Sequence, residues 1–213
     1  GAILLLGRSM SGAGARAALV RYDADGALDA GFGSGGIMNV DFPGGFDEEP
    51  AALGRQSDGS LIVVATAANG GSRDFAVARV TSAGALDAGF GTGGFAFASF
   101  TGDDAAHAVL VQPDDAIVVA GSTGAFDPDF ALARFTPGGT SDATFGTGGL
   151  VVTEGTIFTD DEIHALVRQP DGAIVDRVQP YQGIDHRLAD PPAIRLRVGE
   201  PRRHPLRQDH ARA

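Results

Sequence analysis

The 213-residue chain contains no lysine, no cysteine and no tryptophan, and only two methionines. Its 16 basic residues are therefore all arginine, a bias expected of a GC-rich, bacterial gene. Without cysteine there are no disulfides and no thiolate metal sites. Positive charge is scarce: the net charge of −11 argues against a nucleic-acid partner, whose phosphates need a basic surface. It argues equally against an anionic membrane surface. Long apolar runs are missing too. Nothing approaches the roughly 18 residues of a membrane span, and ILLL (Ile3–Leu6) is the length of a strand. With 32 Gly and 11 Pro spread along the chain, a helix is hard to place anywhere. No signal-peptide pattern opens the sequence. The chain starts at Gly1 inside a repeat, so the expectation is a piece of a longer protein.

What is there is repetition. LDAGFGSGG (Leu28–Gly36) returns as LDAGFGTGG (Leu86–Gly94) and as SDATFGTGG (Ser141–Gly149). Phe32, Phe90 and Phe145 mark the copies, as do Arg21, Arg79 and Arg134, and Gln56, Gln112 and Gln169. Ile3, Ile62, Ile117 and Ile174 mark four copies of one apolar run. A fixed period of this length is the signature of a repeat architecture.

The third unit shows the grammar. AHAVLVQ (Ala106–Gln112), a PDD turn, and AIVVAG (Ala116–Gly121) read as two strands and a hairpin. In DFALARF (Asp129–Phe135), Phe130, Leu132 and Arg134 point to one side and Ala131, Ala133 and Phe135 to the other. LVVTE (Leu150–Glu154) closes a four-stranded antiparallel meander. Such a meander cannot hide two apolar faces alone, but sheets stacked radially can, which is a β-propeller. A β-solenoid is the alternative, with usually shorter repeats of about 20 to 30 residues. The Phe of each Phe-Gly pair is expected to fill the gap between adjacent sheets while the Gly permits a turn.

With DFALARF, QPDG, AIVVAG and LDAGFGTGG in view, the chain resembles the delta-60 repeat over about residues 1–176. The resemblance implies a β-propeller on a secreted or cell-surface bacterial protein, often joined to other modules. It implies no catalytic residue. Pro50 and Gly54 depart from the pattern in a first strand, and Asp115 replaces a turn glycine.

The expected fold is thus all-β, a β-propeller fragment of about three four-stranded antiparallel blades plus a partial one. Residues 1–43 read as the last strands of a blade, 44–101 and 102–157 as blades, and 158–176 as the start of another. Three blades cannot close a ring of the usual four to eight. The remaining blades of a longer chain are therefore expected partners, and the chain alone is expected to expose two sheet faces and associate. Residues 177–213 leave the pattern: eight Arg and four acids, against eight Arg and 23 acids before. A frameshifted stretch is the leading reading of this tail; a basic, disordered or polyanion-binding segment and a small separate domain are the others.

Candidate chemistry centres on acidic pairs eight and nine residues before each Gln: Asp47 and Glu48, Asp103 and Asp104, Asp160 and Asp161. Ringed around a channel mouth they would suit a cation, most naturally Ca²⁺; as strand-entry turns they would cap backbone N–H groups instead. His107 and His164 share a repeat position that is Ala51 in the preceding copy. They would serve as a metal or proton pair, or as half-buried strand histidines. Arg21, Arg79 and Arg134 with Asp29, Asp87 and Asp142 read as Arg–carboxylate pairs pinning a turn, the alternative being an anion-binding ring. Asp74 and Asp129 read as turn formers. GSGG and GTGG lack the Lys and helix of a phosphate loop, and neither GxSxG nor HExxH occurs.

The functional expectation is a non-catalytic binding or scaffold module, extracellular or on the cell surface, with an unknown protein or glycan ligand. Its face would carry the acidic pairs and the loops after the second strands, such as Ser122–Pro128. The alternatives are a carbohydrate-active hydrolase or lyase with its site at the channel mouth, and a calcium-dependent adhesion module.

Overall fold

A computed structural model describes residues 1–11, 14–44, 47–154, 163–169, 174–178 and 195–196. Every regular element in them is a strand. The first sheet has three, β1 (Ile3–Ser11), β2 (Gly14–Tyr22) and β3 (Ile37–Val40). The second has β4 (Glu49–Arg55), β5 (Leu61–Asn69), β6 (Ser72–Val80) and β7 (Phe95–Ala98). The third has β8 (Asp104–Val111), β9 (Ile117–Thr123), β10 (Asp129–Phe135) and β11 (Leu150–Thr153). The fourth has β12 (Ile163–Arg168), β13 (Ile174–Val178) and β14 (Arg195–Leu196). Each is an antiparallel meander in chain order. Within the Arg-rich tail, β14 pairs Leu196 with Ile174, the register in which Phe135 meets Ile117.

Period-2 alternation decides which residues face which neighbour. Leu61, Val63 and Ala65 of β5, with Ala76, Ala78 and Val80 of β6, pack against Ala17 and Leu19 of β2 and Val40 of β3. The residues between them, Ile62, Val64, Phe75 and Val77, face the third sheet and meet Ile117, Val119, Ala131, Ala133 and Phe135. The third sheet's other face, with Val118, Ala120, Phe130 and Leu132, meets Ile163 and Ile174. Both faces of the second and third sheets are thus covered broadside. Burial of each Val, Leu, Ile or Phe side chain is worth roughly 1.5–3 kcal/mol, so stacking supplies what a lone meander lacks. Alanines on the facing strands keep the approach close.

One anchor needs correction. Gln56 N–H donates to the Ser60 carbonyl (2.9 Å) and Gln112 N–H to the Ala116 carbonyl (2.8 Å), so the residue matching Ile117 is Leu61. Ile62 matches Val118 and lies on the opposite face. Composition cannot distinguish the two in an all-apolar run, whereas a one-residue shift in a strand reverses every side chain.

Pro50 and Gly54 do not prevent the second sheet's first strand from forming. β4 is an edge strand that absorbs Pro50 at a bulge between Pro50 and Ala52. A Cβ on Gly54 would lie 2.8 Å from Val111 of β8, so the missing side chain lets two first strands approach. β8 has its bulge between Ala106 and Ala108, and β12 has a register shift between Ile163 and Leu166. Ala51, His107 and His164 therefore occupy one recurring irregularity in strands β4, β8 and β12, which lie side by side.

Candidate functional site

Each described acidic pair is split by its turn. Glu48 is only 1% exposed and accepts Phe42 N–H (2.7 Å) and, from the preceding sheet, Ala17 N–H (2.9 Å). Asp47 points outward and meets Arg8 of the preceding sheet at 3.3 Å. Asp104 is 2% exposed and accepts Phe100 N–H (2.9 Å), while Asp103 is exposed and accepts Arg73 N–H (3.1 Å) from the preceding sheet. One acid caps the chain entering the first strand, and its neighbour faces the sheet before. Burial raises the pKa of both Glu48 and Asp104 above the ordinary carboxylate value, with Asp41 adding to the first and Asp74 and Asp103 to the second. Asp160 and Asp161 lie outside the described residues. Among the described residues, no three His, Cys, Asp or Glu side chains gather as a metal site.

Asp74 is fully buried and closes its turn, accepting Ser72 Oγ–H (2.9 Å) and an Asn69 amide N–H (2.7 Å). His107 and His164 do come together: their rings are 5.0 Å apart, centroid to centroid, between β8 and β12. His164 is exposed and His107 partly so.

The arginines form a recurring device. Arg21 Nε donates to Asp29 (2.8 Å), Arg79 Nε to Asp87 (2.8 Å) and Arg134 Nε to Asp142 (2.7 Å). The other oxygen of each carboxylate accepts a backbone N–H two residues on, from Gly31, Gly89 and Thr144. Those bonds fix the turn that delivers the phenylalanine. Each guanidinium then lies over that ring, 4.5 Å from Phe32, 5.0 Å from Phe90 and 4.7 Å from Phe145. For Asp142 the Thr144 hydroxyl and N–H, with Arg134, hold the carboxyl below its ordinary pKa.

The pairing was legible as a turn device, but its second role was not. Arg21 also donates to the Ser82 carbonyl of the next sheet, and Arg79 to the Pro137 carbonyl (2.9 Å). Gly33 N–H reaches the Ala83 carbonyl (2.9 Å) and Gly91 N–H the Gly138 carbonyl (2.8 Å). Gln56 spans the same boundary, donating to the carbonyls of Asp115 (3.0 Å) and Pro137 (3.1 Å). Asp115, held at φ 63° where a glycine is usual, accepts Ser57 N–H (2.7 Å) and Ser57 Oγ–H, which offset its backbone strain. Acceptors on the main chain leave no sequence signal, which is why the pattern hid them.

At one edge the hairpins after β5 and β9 stand beside Asp103 and Asp104; Gly124 N–H donates to the Asp103 carbonyl (3.0 Å) and Arg73 N–H to the Asp103 carboxylate. On this edge Phe126 is 94% exposed. At the other end of the first strands a cleft is lined by Arg55, Gln112, Asp115 and Arg168.

No curated protein matches the chain. Three stretches, residues 1–32, 56–90 and 112–145, match the family model described as a domain of unknown function (DUF5122) beta-propeller. The second and third matches each run from the Gln that opens a hairpin to the Phe that closes the sheet junction, and the first ends at the same Phe. That correspondence and the stacked antiparallel meanders show an all-β, β-propeller fold whose repeats are similar to those of this family model.

Proposed function

We propose that the chain is a non-catalytic binding or scaffold module of a secreted or cell-surface bacterial protein, and that its binding face is the edge carrying the acidic pairs and the β9–β10 loop. The observation that carries this reading is Phe126. A side chain that could bury on the order of 200 Å² instead stands 94% exposed at a loop tip. The matching turn of the second sheet, Asn69 to Ser72, carries no aromatic side chain. Aromatic side chains are enriched where surfaces bind partners, and loops on a rigid scaffold are where binding residues concentrate. The polar groups nearby support a module rather than a reaction centre: Glu48, Asp74 and Asp104 cap turns and backbone, and Asp47 and Asp103 bridge adjacent sheets. The ligand class is a protein or glycan able to lie against an aromatic ring flanked by carboxylates.

The test is binding of the full chain to arrayed glycans and envelope proteins, beside a Phe126→Ser variant with an unchanged melting curve. Saturable binding that the variant loses supports the reading. Binding unaffected by the substitution overturns the assignment of the face. Cleavage of a bound oligosaccharide by the wild-type chain would move the reading to a carbohydrate-active hydrolase or lyase. Binding that requires Ca²⁺ and disappears with chelator would move it to calcium-dependent adhesion.

A further inference from the structure

The irregularity that recurs in the first strands holds alanine in one sheet and histidine in the next two: Ala51 in β4, His107 in β8 and His164 in β12. A bulge re-aims the side chain it carries, because the extra residue falls out of the ladder's alternation. In β8 the register steps from Ala106 to Ala108, and His107 is the extra residue. In β12 it steps from Ile163 to Leu166, around His164. The irregularity itself needs no imidazole. β4 makes it with Ala51, and the second sheet still packs on both faces. Histidine at this place is therefore an addition to the framework rather than a part of it.

The two additions meet. Their strands lie side by side, and the rings stand 5.0 Å apart between centroids with their planes inclined at 39°. Attraction between aromatic rings favours offset-parallel or edge-to-face pairs, and this tilt is neither. The separation fits another arrangement. With metal–nitrogen bonds of about 2.0–2.1 Å and a tetrahedral angle, two imidazoles on one ion have ring centres about 5 Å apart. His164 is exposed and His107 partly so, which gives an ion a path from solvent.

We propose that His107 and His164 form a two-histidine site for a divalent transition-metal ion, which bridges the third and fourth sheets at their first strands. Imidazole nitrogen suits Cu²⁺, Ni²⁺ or Zn²⁺, whereas Ca²⁺ and Mg²⁺ take oxygen ligands. Among the described residues no third histidine or carboxylate gathers with the pair, so water fills the remaining positions. The ion is thus exchangeable, unlike a closed structural centre with four protein ligands. Bonded to one residue from each sheet, it stabilises their junction, and its open positions can take a donor atom from a ligand. The site does not depend on the Phe126 face.

The other histidines, His186, His204 and His210, lie in the Arg-rich tail. The titration therefore uses the full chain carrying His186→Gln, His204→Gln and His210→Gln. Cu²⁺ should bind this parent saturably and show coupling to two nitrogens in its paramagnetic resonance spectrum. Loss of a mere hydrogen-bonded neighbour of a metal ligand costs about 10–100-fold in affinity, so His107→Gln and His164→Gln should each weaken binding at least about tenfold. Zn²⁺ should raise the melting temperature of the parent but not of either variant. A measurement without these two substitutions covers the case in which the variants fail to fold. Acylation of His107 and His164 by diethyl pyrocarbonate, mapped by mass spectrometry in the unmutated chain, should slow with Zn²⁺ and not with Ca²⁺. Copper binding that survives either substitution undiminished, a copper signal without nitrogen coupling, or acylation that Zn²⁺ leaves unchanged overturns the proposal.

Discussion

Between β5 and β6 of the second sheet the chain turns through Gly70 and Gly71; between β9 and β10 of the third it runs through Gly124, Ala125, Phe126, Asp127 and Pro128. Behind these hairpins the two sheets repeat the same devices. Arg79–Asp87 and Arg134–Asp142 close their turns alike, and Phe90 and Phe145 fill the gap to the next sheet alike. The capping acid differs in length but not in job. Glu48 follows Phe42 by six residues and Asp104 follows Phe100 by four, and each accepts that phenylalanine's N–H. The longer Glu48 also reaches Ala17 N–H of the preceding sheet; at the next junction the side-chain bond runs the other way, from Ala106 N–H to Thr66 Oγ1 of the preceding sheet (2.9 Å). The loops at one edge differ in length as well as in residue type, and the proposed binding face lies there.

The comparison can be broken most directly at the phenylalanines. Phe90→Ala should cost about 3–5 kcal/mol in urea-induced unfolding, and Phe145→Ala less, because Phe145 retains 6% exposure where Phe90 has none. Equal costs would mean the third junction is as complete as the second. Arg79→Met keeps an apolar stem over Phe90 but removes the bonds to Asp87 and the Pro137 carbonyl. Gln56 still donates to the Pro137 carbonyl and Gly89 N–H to Asp87, so the loss should be about 1 kcal/mol, and a cycle with Asp87→Asn separates the turn bond from the junction bond.

Asp104→Asn tests the buried cap through pH. The folded-state pKa of Asp104 lies above its unfolded value. Its contribution to stability is therefore fullest below the unfolded value of about 3.9 and declines as pH rises through the folded value. The melting temperature of the variant relative to wild type should thus climb between pH 4 and pH 8; a flat difference would place the carboxylate in an ordinary solvated setting. The smallest effect is expected from Phe126→Ser. Stability should stay within about 0.5 kcal/mol, because the ring contributes little to the fold, while ligand binding falls away.

Strand identity, strand order and face assignment were readable because both faces of each sheet are apolar and the turns carry Gly, Asp and Pro at fixed places. The alternation in DFALARF placed Phe130 and Leu132 opposite Ala131, Ala133 and Phe135, and the core clusters divide them that way. Ile62 misled because LIVVAT is apolar at every early position, so only the hairpin bonds of Gln56 and Gln112 fix the register. The acidic pairs were legible as strand-entry positions. Which acid turns inward depends on the path from Phe42 and Phe100, a property of the connection rather than of residue type. The bulge at Ala51, His107 and His164 left no mark in spacing, because one extra residue in a strand does not disturb a repeat of this length.

The bonds that cross from sheet to sheet have a consequence for how such a chain can change. Arg21, Arg79, Gly33 and Gly91 all end on carbonyl oxygens, at Ser82, Pro137, Ala83 and Gly138, and every amino acid supplies a carbonyl. These bonds ask nothing of the accepting side chains, although Gly84 and Gly139 must remain glycine beneath Phe32 and Phe90. A gene duplication that inserts a unit, or a recombination that deletes one, brings together partners that fit as long as the accepting turn keeps its glycine. Length in this protein can therefore drift by whole units far more freely than by single residues.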